Sequence, residues 1–176
     1  KNFSAYNNLG ISYKKLKRYK ESETNLLQSI KINPNYVNAM VNLGNLKNET
    51  YFFKESIKYY NKAIELNNKL PSTYLNLANV YQTINEIEEA KKYYIKAITI
   101  DETFTIADQK LSMLEKYDKD NSHLKSMLEK FKSKDLNDTK KMYLCFGIYK
   151  AFNDIKDYQS SVKYLKLGNK IQRGLL

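Results

Sequence analysis

The sequence predicts an all-α solenoid of about five helix-turn-helix pairs. Three observations lead there. Residue types recur every 34 positions over residues 3–104. Within each period, apolar residues step by three and four, the spacing of one helix face. The 176 residues contain only 5 Gly and 2 Pro, too few for the many turns of a β-sandwich or barrel.

The 34-residue period is carried by many columns at once. Leu9-Gly10, Leu43-Gly44 and Leu77-Ala78 share one register. Tyr6, Met40 and Tyr74 precede them, and the small residues Ser22, Ser56 and Ala90 come after. Leu26, Tyr60 and Tyr94 come next, then Ser29, Ala63 and Ala97, then Ile30, Ile64 and Ile98. Two helices fit each period, 3–16 and 19–32 in the first. The small columns let the two helices of a hairpin approach closely. Tyr6, Leu9, Tyr13, Leu26 and Ile30 are expected to fill the space between pairs, with Leu9, Leu43 and Leu77 all buried. Pro34 stops the first pair. Pro71 opens the third, where a missing N–H costs nothing.

Beyond residue 104 the pattern loosens. A helix over 105–117 carries Ile106, Leu111 and Leu114. Asn121 or Ser122 caps the next, which bears Leu124, Leu128 and Phe131. A last pair is expected at 139–154 and 158–172, with Cys145, Ile148, Phe152, Tyr158, Ser161 and Leu165 in its core.

The motif Leu9-Gly10-x-x-Tyr13, with Ser22, Leu26, Ser29, Pro34 and their shifted counterparts, resembles the tetratricopeptide repeat (TPR) family. The resemblance covers 3–104. It departs at Lys47, where an aromatic is usual, and at Asn68 and Glu102, where Pro is usual. It implies a right-handed superhelix, with three regular motifs over 1–104 and two divergent TPR-like pairs of the same solenoid over 105–176. Residues 120–173, including Lys150-Ala151-Phe152-Asn153-Asp154, are similar to the segment that joins such repeats to a sulfotransferase domain in bacterial fusion proteins. With a first residue other than Met, the chain reads as a piece of a longer protein.

Composition removes several function classes. No run of 18 apolar residues exists, so no membrane-spanning helix is expected, and the expected location is cytoplasmic. One cysteine, Cys145, and one histidine, His123, leave no disulfide framework and no metal cluster. Cys145 is expected to be buried and inert, and His123 a solvated surface residue. No phosphate-binding glycine loop and no catalytic triad order is present, so no enzyme activity, no cofactor and no metal is expected of this chain. The net charge is +11, but only Arg18 and Arg173 are arginines among the 30 basic residues. The surplus is even: 15 basic against 10 acidic residues in 1–104, and 15 against 9 in 105–176. No nucleic acid and no membrane is therefore expected as a partner.

Asparagine supplies the candidate site. Asn8, Asn42 and Asn76 repeat at 34 residues, and Asn45 and Asn79 stand three residues after the last two, on the same helix face. The resemblance implies that the first helix of each pair lines a concave groove. An amide offers a donor and an acceptor side by side, matching a peptide group. A row of them can grip an extended backbone without reading its sequence. Asn-rich composition, at 20 of 176 residues, is the competing explanation. The repeats are similar to those of O-linked N-acetylglucosamine transferase, which carry such a ladder.

The expected function is a protein-interaction scaffold that holds an extended peptide in the concave groove. The alternative is the substrate-presenting arm of a multidomain sulfotransferase or glycosyltransferase. The partner is a protein or peptide, with self-association through uncapped terminal repeats as a further expectation.

Overall fold

The computed structural model describes residues 2–174. Among them are ten α-helices and no strand: α1 (Phe3–Lys15), α2 (Tyr19–Ile32), α3 (Val37–Glu49), α4 (Phe53–Leu66), α5 (Pro71–Thr83), α6 (Ile87–Ile100), α7 (Thr105–Ser112), α8 (Ser122–Lys132), α9 (Asp138–Asp154) and α10 (Tyr158–Gly174). The fold is an all-α solenoid. The chain forms two compact units, residues 1–93 and 94–176.

In the first unit, α1 packs on α2 and α3 on α4. Each second helix then packs on the next first helix, α2 on α3 and α4 on α5. The first helices α1, α3 and α5 touch in succession and so form one layer. The recurring columns explain this. Leu26 buries Leu43 and Leu46, and one period later Tyr60 buries Leu77 and Val80. Each buried Leu contributes about 1.5–3 kcal/mol of hydrophobic stabilisation. Gly44 sets the approach of α4: a Cβ there would stand 2.7 Å from the Tyr60 ring. The hydroxyls of Ser22 and Ser56 donate to the carbonyls of Gly10 and Gly44, both at 2.8 Å. The small column therefore ties each hairpin as well as making room for it.

Leu43 and Leu77 are fully buried, but Leu9 is 47% exposed, against expectation. The reason lies in the packing order. This column is covered by the second helix of the preceding pair, and no described residue precedes α1 in that role.

The hairpin turns share a period that residue types do not advertise. Lys17, Tyr51 and Asn85 all have positive φ, near 60°. The next N–H closes each turn on the carbonyl five residues back: Arg18 to Tyr13, Phe52 to Lys47 and Glu86 to Tyr81. This is a Schellman closure made without glycine. The pair-to-pair turns are closed by side chains. Asn33 and Asn67 accept from the N–H two residues on, at 3.1 and 3.0 Å. That bond explains why Asn68 is tolerated where Pro is usual.

Lys47 replaces an aromatic with an ion triad. Its amine is buried and lies 2.7 Å from both Glu23 and Glu55. Burial alone would lower its pKa, but the two carboxylates outweigh it and the net shift is upward.

In the second unit, α9 packs on α10, α7 and α8. Its core joins Leu124, Met127, Leu144, Ile148 and Ala151 with Tyr117 and Leu136. Cys145 is buried, and burial pushes its thiol up to about 11, so it is not a reactive thiolate. Tyr158, expected in the core, is 61% exposed. It stands in the first turn of α10, four residues before the exposed Val162, so the apolar face of that helix is not fully covered here. Asn121 caps α8 as expected, accepting from the N–H groups of His123 and Leu124.

Two expectations fail between α7 and α8. The helix expected over 105–117 ends at Ser112. Tertiary bonds take over: Asp154 accepts from the Tyr117 N–H at 3.1 Å, and Lys150 donates to the Glu115 carbonyl. His123 is not a solvated residue. Its Nδ1 lies 2.7 Å from the Tyr117 hydroxyl and its Nε2 3.2 Å from the buried Asp108 carboxylate. Lys130 donates to the same carboxylate at 2.8 Å.

Candidate functional site

The five asparagines singled out by the sequence all lie in the first unit, on the layer formed by α1, α3 and α5. Asn8 is exposed, and Asn42, Asn45, Asn76 and Asn79 are half-buried. Two depressions hold them. One, of about 320 Å³, is lined by Asn7, Asn8, Asn38 and Asn42 with Ile11, Tyr36 and Val41. The other, of about 340 Å³, is lined by Asn45, Asn48, Asn76 and Asn79 with Lys14, Glu49 and Tyr60.

The amides are not independent of one another. Asn42 Nδ2 donates to Asn7 Oδ1 at 2.8 Å, and Asn7 Nδ2 donates to Asn8 Oδ1 at 3.3 Å. Asn76 Nδ2 donates to Asn45 Oδ1 at 3.1 Å, and Tyr60 Oη donates to the same oxygen at 2.6 Å. These bonds link α1 to α3 and α3 to α5. Burial pushes the Tyr60 pKa well up, with a smaller opposing pull from Ser56, so its hydroxyl stays protonated and remains a donor. The amides do not simply face solvent: a row of mostly half-buried amides gains order by bonding along itself.

Periodicity does not single out Asn7. It is 3% exposed and bridges Asn8 to Asn42. Its signal is the doubled Asn7-Asn8, which has no 34-residue counterpart. Tyr60 reads from the sequence as core alone, and it is core, yet its hydroxyl reaches the row. Asn48 stands three residues beyond Asn45 and could be found by extending the helix-face rule once more.

Charge at the second depression is internally balanced. Lys14 Nζ lies 3.3 Å from Glu49, which also accepts from the Tyr19 hydroxyl at 3.0 Å. Among the described residues, no group of three or more His, Cys, Asp or Glu is placed to hold a metal ion. No described helix is long and apolar enough to cross a membrane.

Family models for the tetratricopeptide repeat match residues 3–36 and 71–104, and a TPR repeat model matches 53–85. The chain is a tetratricopeptide repeat protein. No curated protein matches it. Similar solved structures include the MamA protein, with a TM-score of 0.68 and 18% identity over 97% of this chain and 92% of that one. A mutant O-GlcNAc transferase of Thermobaculum terrenum matches with a TM-score of 0.61 and 18% identity, over 72% of this chain and 25% of that one. The first TPR of Spaghetti (RPAP3), bound to the HSP90 peptide SRMEEVD, matches with a TM-score of 0.61 and 19% identity, over 64% of this chain and 89% of that one. At these identities the likeness is one of fold. In this TPR protein the asparagine row lies on the first helices of three successive repeats, and the repeat fold supports a role as a protein-interaction scaffold.

Proposed function

We propose that the chain binds an extended peptide along the layer of α1, α3 and α5, in a groove lined by Asn8, Asn42, Asn45, Asn76 and Asn79. The observation that carries this reading is the pair of inter-helix amide bonds, Asn42 to Asn7 and Asn76 to Asn45. They hold the amides in fixed orientations before a ligand arrives, which lowers the ordering cost of binding. These bonds use neither the Asn42 acceptor nor the N–H groups of Asn45, and the proposal assigns those to the ligand. A solved TPR bound to the HSP90 peptide SRMEEVD supports a peptide as the kind of ligand, by fold alone. The alternative reading, a substrate-presenting arm of a sulfotransferase or glycosyltransferase, rests on the resemblance of 120–173 and on that of the repeats to O-linked N-acetylglucosamine transferase.

The test is a peptide-array screen with the wild type and the Asn8/Asn42/Asn76 triple alanine variant, followed by titration of the hits. A net hydrogen bond contributes about 0.5–1.5 kcal/mol, so the triple change is expected to weaken binding about ten- to hundredfold. Equal binding by both proteins rejects the row as the site. A hit whose affinity collapses with salt points to the lysine surface instead.

A further inference from the structure

The two depressions along the asparagine row differ in chemistry, and the difference reads as side-chain selectivity. Ile11 and Val41 bring two aliphatic side chains to the first depression, which is otherwise lined by asparagines and Tyr36. The second has no aliphatic lining residue: Asn45, Asn48, Asn76 and Asn79 surround Tyr60, with the Lys14–Glu49 pair also lining it.

Within the second depression the donor and acceptor roles are set. Asn45 Oδ1 already accepts two hydrogen bonds, from Tyr60 at 2.6 Å and from Asn76 at 3.1 Å. A carbonyl oxygen has two lone pairs, so this acceptor is full. Asn45 is left as a donor through its NH₂ group. Asn76 has spent one N–H on Asn45, and its Oδ1 takes no part in that bond. Donors from Asn45 and an acceptor from Asn76 in one depression complement a carboxamide. They do not complement a carboxylate, which donates nothing, or an ammonium, which accepts nothing. Lys14 and Glu49 neutralise each other, so the depression offers a charged side chain no net counter-charge.

We infer that the site selects a peptide carrying a carboxamide side chain, Gln or Asn, in the Asn45/Asn76 depression, and an aliphatic side chain in the Ile11/Val41 depression. This rests on the peptide-binding reading above. Packed helices stand about 8–10 Å apart, and an extended chain rises about 3.3 Å per residue. The two side chains therefore sit about three residues apart in the ligand.

The experiment is a positional-scanning array of synthetic fluorescein-labelled decapeptides, read by fluorescence anisotropy against the 176-residue chain and three variants: Asn45→Asp, Tyr60→Phe and Asn42→Ala. Each variant is first checked by its helical circular-dichroism melt. The wild type is expected to prefer Gln or Asn at one position and an aliphatic residue about three away. Changing that Gln to Glu or Lys is expected to weaken binding about tenfold. Asn45→Asp replaces donors with acceptors and is expected to shift the preference from Gln to Lys. Tyr60→Phe empties one lone pair of Asn45 and is expected to flatten the Gln preference by several-fold while keeping the packing. Asn42→Ala is expected to weaken all peptides alike. If Asn42→Ala weakens binding but the Gln preference is absent or favours a charged residue, the selectivity inference is overturned and the peptide reading stands. If no peptide binds, or all variants bind as the wild type does, both fall. Should Asn45→Asp fail to fold, Tyr60→Phe alone decides the selectivity.

Discussion

The turn between α3 and α4 and the connection between α7 and α8 solve the same problem by different physics. The first is local. Tyr51 takes a positive φ, the Phe52 N–H closes on Lys47, and Gly44 lets Tyr60 pack against the backbone. The second is tertiary. The chain leaves α7 at Ser112, and a buried polar network of Asp108, His123, Tyr117 and Lys130 anchors the connecting segment and the start of α8. A connection built from backbone closures tolerates change at its surface residues. One built on a buried carboxylate depends on every partner.

The largest expected effect comes from breaking that network. Asp108→Ala leaves the Lys130 amine and His123 without their shared acceptor, and is expected to cost about 3–5 kcal/mol in urea unfolding. A loss below about 1 kcal/mol would mean that the α7–α8 connection is held by its apolar contacts instead. In the first unit, Leu43→Ala is expected to cost about 2–5 kcal/mol. Leu9→Ala, in the same column but half exposed, should cost clearly less, and equal losses would contradict the packing order of the repeats. Gly44→Leu is expected to lose about 1–3 kcal/mol by driving Tyr60 off the helix, again read by unfolding.

These contrasts track how much of the molecule is legible in its sequence. The hairpins of 3–100 are legible because small residues and apolar columns repeat at one period. The helix expected over 105–117 overruns because its apolar spacing continues past Ser112, while the bonds that end the helix come from Asp154 and Lys150, about 35 residues away. His123 escapes sequence reasoning for the same reason, since its partners Asp108 and Tyr117 meet it only in the fold. At the candidate site, the positions of the asparagines are legible and their bonding is not. Periodicity places a side chain on a face, but it cannot say that Asn7 turns back to bridge Asn8 and Asn42.

Two smaller effects sharpen the comparison. Thr73 is buried and its Oγ1 has no hydrogen-bond partner. Thr73→Val keeps the shape and removes the unmet hydroxyl, so it is expected to stabilise by about 1 kcal/mol. Tyr51→Gly relieves a left-handed residue at an exposed turn, and a gain of about 0.5–1 kcal/mol is expected, seen as a small rise in melting temperature. A loss at Tyr51 would show that its edge contact with Phe53 outweighs the backbone term.

An oriented row of amides across α1, α3 and α5 is the proposed binding surface. Side-chain amide resonances in a ¹⁵N–¹H spectrum report on it directly, because each asparagine NH₂ gives its own pair of peaks. On titration with an array-selected peptide, the pairs of Asn42, Asn45 and Asn76 are expected to shift and saturate together, while those of Asn121 and Asn137, the caps of α8 and α9, stay in place. Shifts confined to Asn121, Asn137 or the lysine-rich surface, with the row unmoved at saturation, would contradict the account.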